Sequence, residues 1–209
     1  MPKLTEDQQK QRRARILDAA EACFAANGFH RTTMQDICKS AGISAGALYI
    51  YFDSKEGLIE GLSGRDRAEI IEKFAALEES ADFFEGLQTV MRTTLVEQPP
   101  HKARLFMEMG AEGSRNPAIG KILADCDATI RASLAHVLQR AKDEGRISPA
   151  LPVARVAEIM AVIADGVFWR RAAVPGFDLA AAAPDLLALM AGLVGLNETP
   201  ASPGKEGTK

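Results

Sequence analysis

The sequence predicts an all-α protein in which an N-terminal three-helix domain precedes a larger helical domain, with about nine helices in total. Nearly every segment longer than ten residues carries its apolar residues at helical spacing, and no stretch alternates with period two over six or more residues. Residues that cap or stop helices separate these segments. Of the 209 residues 47% are hydrophobic, so the chain can bury a substantial core.

The first predicted helix begins near residue 8 and ends at Asn27-Gly28, a typical C-terminal cap. Its apolar face is formed at helical spacing by Ile16, Ala19, Ala20, Cys23 and Phe24. Arg12, Arg13 and Arg15 precede that face. These three arginines are either a solvated helix face or an arm that contacts phosphates or the minor groove of DNA.

Two short helices follow within the first 52 residues. Thr33 caps a helix that runs to about residue 40, with Asp36 at the position that completes a capping box. Gly42 ends this helix, and Ser44 caps another that runs to about residue 51. A helix of about seven residues, a short turn containing glycine and a second short helix are typical of a helix-turn-helix unit.

A helix-turn-helix unit places its second helix in the major groove of DNA, while its first helix crosses the backbone. Ala41 lies where two crossing helices need a small side chain, and apolar residues at positions 37, 43 and 48 can fill the core beneath. The small residues that begin the second helix let its backbone approach the bases closely. A tyrosine there can bury its ring and send its hydroxyl to a phosphate.

Six longer helices are predicted after residue 53. Their approximate ranges are 54–77, 82–98, 101–113, 116–145, 152–173 and 178–196. We therefore divide the chain into a domain of residues 1–55, a domain of residues 56–198 and a disordered tail of residues 199–209.

The composition excludes several classes of protein. No run of eighteen apolar residues occurs and the charged N-terminus lacks the apolar stretch of a signal peptide, so we expect a cytoplasmic protein without a membrane partner. Three widely spaced cysteines predict neither a disulfide framework nor a thiolate metal site. The three histidines have no neighbouring metal ligands, and no HExxH, GxGxxG or P-loop motif occurs. We expect no enzymatic activity and no cofactor.

Charge is distributed unevenly along the chain. Residues 1–55 contain eight Lys or Arg and six Asp or Glu, whereas the remaining residues contain 17 and 22. The first 55 residues have a small positive net charge and the remaining residues a negative one. This distribution permits a polyanionic partner for the first domain only.

The stretch TTMQDICKSAGISAGALYIYFDSKEGL, residues 32–58, resembles the DNA-binding signature of the TetR family of bacterial transcriptional regulators. The family pattern reads T-T-apolar-x-x-I-A, then A-G-V-S-x-G-x-L-Y-x-Y/H-F, then x-x-K-x-x-L. The preceding ILDAAEACFAANGFHRTT is similar to the family's first helix and its G-F/Y-x-x-T-T link. Two residues depart from the pattern: Cys38 replaces the usual alanine, and Ile50 stands where a polar or aromatic residue is common.

The resemblance implies that double-stranded operator DNA is the partner of the first domain. The DNA-binding residues that it implies are Thr33, Gln35, Ser44, Ala45, Gly46, Tyr49, Tyr51 and Lys55. Thr33 and Lys55 would hold phosphates, the two tyrosines would press on the sugar-phosphate backbone, and the three residues from 44 to 46 would lie at the groove floor. Gln35 would reach a base edge, where a glutamine can pair bidentately with adenine.

Some of these assignments have structural alternatives. Thr33 and Ser44 could serve only as helix caps, and Tyr49 could be a packing ring with a solvated hydroxyl. Ile50 either touches a thymine methyl or lies on a hydrophobic edge, so it receives no assignment.

The last two predicted helices are suited to dimerisation. Their apolar residues repeat at steps of three or four, and their many alanines allow close approach. The interface residues that we predict are Val156, Met160, Ile163, Val167, Leu186, Met190 and Leu193. The resemblance implies that these helices form a four-helix interface in a homodimer. The alternative is that these side chains belong only to the core of one chain.

The middle helices are rich in Phe and Met, and the resemblance implies an effector pocket among them. The pocket residues that we predict are Phe74, Phe84, Met91, Phe106, Met109, Phe168 and Trp169. Because methionine adapts to apolar ligands, these residues favour a hydrophobic or aromatic effector. Ordinary core packing is the alternative for each of them.

These observations predict a ligand-responsive repressor that leaves a palindromic operator when it binds an effector. We expect the helix at residues 54–77 to transmit the change, because it begins at the end of the DNA-binding unit. One alternative is an architectural or partner-regulated DNA-binding protein without an effector. A second is a small-molecule binding protein with a vestigial DNA-binding unit, which the intact motif residues argue against.

Overall fold

The computed structural model describes residues 5–196, and every regular element in this range is helical. The nine α-helices of this range are α1 (Glu6–Arg31), α2 (Met34–Ala41), α3 (Ala45–Tyr49), α4 (Lys55–Glu78), α5 (Phe83–Met91), α6 (Pro100–Gly113), α7 (Pro117–Asp143), α8 (Val153–Ala173) and α9 (Leu179–Leu193). The predicted all-α class is confirmed for this part of the chain. The predicted tail, residues 199–209, lies outside the described residues.

The short helices of the N-terminal domain are bounded by the predicted capping residues. The hydroxyl of Thr33 accepts a hydrogen bond from the N–H of Asp36, whose carboxylate accepts one from the N–H of Thr33. Gly42 ends α2 with a φ of 65°, a conformation that favours glycine. Ser44 caps α3 through the N–H of Ala47. The turn between the two helices therefore has the local chemistry that the sequence predicted.

The first helix begins earlier than predicted, and its predicted end at Gly28 is present as a break in the helical geometry. It begins at Glu6 rather than near residue 8, because Thr5 and Gln8 form a capping box. At its other end the helical geometry breaks at Gly28, which has a φ of 77° and a ψ of 165°, and one further turn follows. We call residues 28–32, which bend the chain from α1 into α2, the α1–α2 link.

The helix predicted at residues 82–98 is divided in the structure. It continues after α5 as a π-helical segment, Arg92–Val96, and stops before Pro99-Pro100, because proline provides no N–H donor. The guanidinium of Arg171 in α8 donates to the carbonyl of Leu95 at 2.7 Å and to that of Gln98 at 2.5 Å. The carbonyl of Leu95 has no helical donor of its own, because the residues four and five positions later are Pro99 and Pro100.

The buried apolar side chains form two clusters. The N-terminal core joins α1, α2 and α3 to the first half of α4 and to parts of α6 and α7. The C-terminal core joins the second half of α4 to α5, α7, α8 and α9. Within α4, Leu58 and Leu62 belong to the first cluster, while Phe74 and Leu77 belong to the second. The domain boundary predicted after residue 55 thus falls at the beginning of a helix that both cores share.

No helix between residues 5 and 196 has the combination of length and apolar character that crossing a membrane requires.

Candidate nucleic-acid interface

The helix-turn-helix unit is held together by side chains that point into the N-terminal core. Ile37 from α2 and Leu48 from α3 are fully buried, and Ala41 lies between the two helices. Phe52, just after α3, is buried in the same core and packs close to Gly61 of α4. These contacts leave the other side of α3 free to face outward.

Most of the predicted DNA-binding residues lie on this outward side. Gln35, Ser44, Ala45 and Gly46 are exposed, and Tyr49 is 54% exposed. A side chain added at Gly46 would meet no atom within 4 Å, so the beginning of α3 borders open space. All five residues are therefore accessible to a partner.

Thr33 and Ser44 act as helix caps, as one of the alternatives proposed. The Thr33 hydroxyl also donates to the Asp36 carboxylate at 2.6 Å. Together with the Thr33 N–H, this hydrogen bond lowers the pKa of Asp36. Both capping residues remain exposed, so the cap role leaves them accessible to a phosphate.

Tyr51 and Lys55 differ from the other predicted contacts. Tyr51 is half-buried and packs against the N-terminal core. The ammonium of Lys55 donates to the carbonyl of Phe29 at 2.7 Å and lies 4.2 Å from the centroid of the Phe29 ring. This ammonium is therefore bound to the α1–α2 link, whereas the sequence predicted a phosphate contact.

Two of the three arginines of α1 are bound within the domain. The guanidinium of Arg15 donates to the carbonyl of Ala41 at the end of α2, at 3.0 Å. That of Arg13 lies over the Phe52 ring, 5.1 Å from its centroid. These contacts fit neither a purely solvated face nor a free arm, because both side chains fasten α1 to the helix-turn-helix unit.

The α1–α2 link is held by two carboxylates of α6. The N–H of Phe29 donates to Oε1 of Glu108 at 2.7 Å. Nε2 of His30 lies 2.8 Å from Oε2 of Glu112, a side chain that is almost completely buried. A Cβ at position 28 would lie 2.8 Å from the same Oε1 of Glu108, so glycine provides both the positive φ and the space. We call these contacts of Glu108 and Glu112 the link clamp.

The link clamp was not predicted from the sequence. Both glutamates lie in α6, four residues apart, a spacing that places them on one helix face. A surface position is the usual place for glutamate, and the sequence offered no sign of their partners. The partners lie about 80 residues earlier in the chain, a separation that local patterns do not report.

A second polar network joins α1 to α4 and α6. Glu21 is buried and receives contacts from Arg65, from His101 at 2.7 Å and from Lys102 at 3.2 Å. Burial alone would raise the pKa of Glu21, but the charge of Lys102 and the contacts of His101 and Arg65 outweigh it and lower that pKa. Together with the link clamp, this network fixes α6 to the N-terminal domain at two places.

The predicted dimer residues divide into buried and half-buried side chains. Val156, Met160, Val167 and Met190 are buried in the C-terminal core of the single chain. We therefore correct their assignment, because a partner could reach them only if that core opened. Ile163, Leu186 and Leu193 are half-buried and lie at its edge.

Other apolar side chains occupy the outer faces of α8 and α9. Val162 is 64% exposed, Trp169 49% and Leu189 53%. A shallow groove of about 350 Å³ runs along α9 and is lined by Leu151, Leu189, Leu193 and small residues. Periodicity identifies a repeating apolar face of a helix but does not tell the inner face from the outer one. It therefore selected the buried residues and missed these exposed ones.

The predicted effector residues are divided between the two cores and the surface. Phe74, Met91 and half-buried Phe84 belong to the C-terminal core, whereas Met109 packs in the N-terminal core. The rings of Phe106 and Phe168 are stacked with centroids 5.0 Å apart, and Phe106 is partly exposed. Trp169 lies at the surface of α8.

Another groove lies in a different part of the molecule. It has a volume of about 430 Å³ between α1 and α6 and contains none of the seven predicted effector residues. Its lining includes Asp18, Glu21, His101, Arg104 and three alanines of α1. No group of three or more His, Cys, Asp or Glu side chains within residues 5–196 is arranged to hold a metal ion.

Comparison with known proteins agrees with this geometry. A family profile described as "Bacterial regulatory proteins, tetR family" matches residues 16–62, and one described as "BetI-type transcriptional repressor, C-terminal" matches residues 84–183. The HTH-type transcriptional regulator UidR of Escherichia coli K12 is 34% identical over 155 residues, which cover 74% of this chain and 79% of UidR. The chain belongs to the TetR family.

Solved structures of similar proteins support the same TetR-family fold. GusR of Salmonella enterica superposes with a TM-score of 0.76 at 32% identity, covering 92% of this chain and 99% of GusR. FadR of Bacillus subtilis, solved in complex with stearoyl-CoA, has a TM-score of 0.72 at 24% identity and covers 88% of this chain and 98% of FadR. This TetR-family protein is therefore a DNA-binding transcriptional regulator, and its relatives are regulators rather than enzymes.

Proposed function

We propose that this TetR-family regulator is a dimeric repressor that binds a palindromic operator and leaves it when a small hydrophobic or aromatic effector binds. The link clamp carries the proposal. It joins α6, a helix of the domain in which the family resemblance places the effector, to the link that positions the helix-turn-helix unit.

The operator contacts are assigned to the outward surface of α2 and α3. Gln35 reaches a base edge from α2, and the small residues that begin α3 let its backbone approach the groove floor. Ser44 and Tyr49 donate their hydroxyl hydrogens to phosphate oxygens, and Thr33 does so when its hydroxyl hydrogen turns from the Asp36 carboxylate to the phosphate. Lys55 positions the α1–α2 link and turns to a phosphate only when DNA approaches.

The dimer interface is assigned to the outer faces of α8 and α9. Val162, Trp169 and Leu189 are the exposed apolar side chains at its centre, with the groove beside Leu151 at its edge. Two copies that bury these faces against each other form a four-helix interface with twofold symmetry. That symmetry places two copies of α3 on two half-sites of a palindrome.

The regulatory change is assigned to α6 together with α4. Effector binding displaces α6, and the link clamp carries this displacement to the α1–α2 link. The two recognition helices then no longer match the spacing of the half-sites. By linkage, operator DNA must weaken effector binding by the same factor by which the effector weakens operator binding.

A second candidate is a helix-turn-helix regulator that responds to a protein partner and has no small-molecule effector. It is favoured by the separation of Met109, in the N-terminal core, and of Trp169, at the surface, from the four predicted effector residues that pack in or against the C-terminal core, Phe74, Phe84, Met91 and Phe168.

A selection experiment followed by ligand titration tests the proposal. Random DNA duplexes are selected with the full-length protein, and the selected duplex is expected to contain an inverted repeat. Its binding constant should fall steeply with salt, since phosphate contacts release counterions. Fatty acids, aromatic acids and amphipathic dyes are then screened by thermal shift.

An effector found in this screen should weaken operator binding by the factor that linkage requires. A ligand that stabilises the protein and leaves operator affinity unchanged would favour the second candidate. Failure to select any duplex would contradict both candidates.

A further inference from the structure

The outward face of α3 is apolar over its whole length. Ala45, Gly46, Tyr49 and Ile50 lie at helical spacing on this face, because Ile50 keeps helical backbone angles at the C-cap. The segment SAGALYIYF, residues 44–52, contains no charged and no amide side chain. Apart from its hydroxyls, α3 can therefore offer only apolar contacts to the major groove.

Ile50 has no structural role that explains its position. It is 79% exposed, the highest value among the large apolar side chains of residues 5–196, and it does not belong to the N-terminal core. Leu48 and Phe52, two positions away on either side, anchor the segment instead. An aliphatic side chain held in water beside an interface gains free energy only when a partner covers it.

The surroundings of Ile50 determine which partner can cover it. Position 46, one turn earlier on the same face, carries no side chain and borders open space, so nothing holds the helix away from a groove floor. The neighbouring Tyr49 and the hydroxyl of Ser44 belong to the surface that meets DNA. Among the groups that bases present in the major groove, the C5-methyl of thymine is the apolar one.

We propose that Ile50 is a specificity-determining residue that packs against the C5-methyl group of one thymine in each operator half-site. This inference rests on the proposed operator binding and adds the base that α3 reads. Packing of Ile50 against the sugar-phosphate backbone would give affinity without base preference, and the experiment separates the two.

The experiment removes the methyl group from the DNA and the side chain from the protein independently. Each thymine of the selected operator is replaced in turn by deoxyuridine, which lacks only the C5-methyl. Wild-type protein should bind about fourfold more weakly per half-site at one position, the loss expected for one buried methyl group. The Ile50→Ala variant should bind the two DNAs equally at that position, and Ile50→Val should keep part of the discrimination.

Gln35→Ala serves as the matched control, because it alters a different proposed base contact. This variant should keep the sensitivity to deoxyuridine at the position that Ile50 reads. Unchanged melting temperature of Ile50→Ala would show that its effect is on binding, as expected for so exposed a side chain.

The inference would be overturned, and operator binding left intact, if replacement of each thymine by deoxyuridine weakened the binding of wild type and of Ile50→Ala equally. The same conclusion would follow if Ile50→Ala weakened binding without any dependence on the methyl groups. Failure of the wild-type protein to select DNA would instead overturn the proposed function on which the inference rests.

Discussion

In α3, Leu48 is completely buried while its neighbours Tyr49 and Ile50 are mostly exposed; in α8, Met160 is buried and Val162 is exposed. The sequence motif of the first region places Leu48 in the core and Tyr49 at the DNA, and it leaves Ile50 without an assignment. In the second region only periodicity was available, and it selected Val156, Met160 and Val167, which belong to the chain's own core.

The two regions differ because helical periodicity and a sequence motif report different properties of a side chain. Periodicity identifies a helix face that is buried, without saying whether the same chain or a second copy buries it. A motif with fixed residue types at fixed positions also reports which side chains remain outside. Residues 56–198 contain such a motif neither for the proposed dimer interface nor for an effector.

The largest effects are expected in α8, where substitution of a buried residue should lower stability and substitution of an exposed residue should prevent dimerisation. Met160→Asp places a charge in the C-terminal core and should lower the free energy of unfolding by more than about 4 kcal/mol. Val162→Asp should leave the helical circular-dichroism signal intact and convert the dimer to a monomer in light scattering. A dimeric and folded Val162→Asp variant would contradict the interface proposed for α8.

Removal of a charge that holds α6 to α1 should lower the free energy of unfolding by a smaller amount, which depends on pH. Glu21→Gln removes the carboxylate that meets Arg65, His101 and Lys102, so we expect a loss of about 2 kcal/mol at pH 7 from its charged hydrogen bonds. Because the folded-state pKa of Glu21 is lowered, its stabilisation is complete above the ordinary value of 4.5 and disappears as pH falls through the lowered pKa. Denaturant unfolding of both proteins from pH 7 to pH 3 measures this difference.

Glu69→Gln is the matched control for that experiment. Its partner Lys73 lies in the same helix, and the Glu69 side chain is half-exposed, so this substitution should change stability by less than about 0.5 kcal/mol. A difference between wild type and Glu21→Gln that stayed constant down to pH 3 would show that the ion pairs are not its source.

The smallest effect is expected for a single hydroxyl on the outward face of α3. Tyr49→Phe keeps the ring and removes the proposed phosphate hydrogen bond, so operator binding should weaken by about 1 kcal/mol at unchanged melting temperature. Fluorescence anisotropy with the selected duplex measures the change. Leu48→Ala, one position earlier, should instead cost about 2–5 kcal/mol of stability because it empties a buried site. Unaltered affinity of Tyr49→Phe would remove Tyr49 from the operator contacts.

Much of the N-terminal domain could be predicted because its determinants are local. The caps at Thr33 and Ser44 and the left-handed turn at Gly42 depend on residues within a few positions. The orientation of Lys55 could not be predicted in this way. Its ammonium binds a carbonyl 26 residues earlier, and lysine has enough freedom in its side chain to reach either that carbonyl or a phosphate.

The sequence by itself determined the all-helical class, the helix-turn-helix unit and the caps of its short helices, because periodicity, capping and turn chemistry act over a few residues. Only the tertiary structure decided that Glu108 and Glu112 hold the α1–α2 link, and that Val162, rather than Met160, faces outward. These features depend on which helices meet and which of their faces are left uncovered. That outcome follows from packing between residues far apart in the chain.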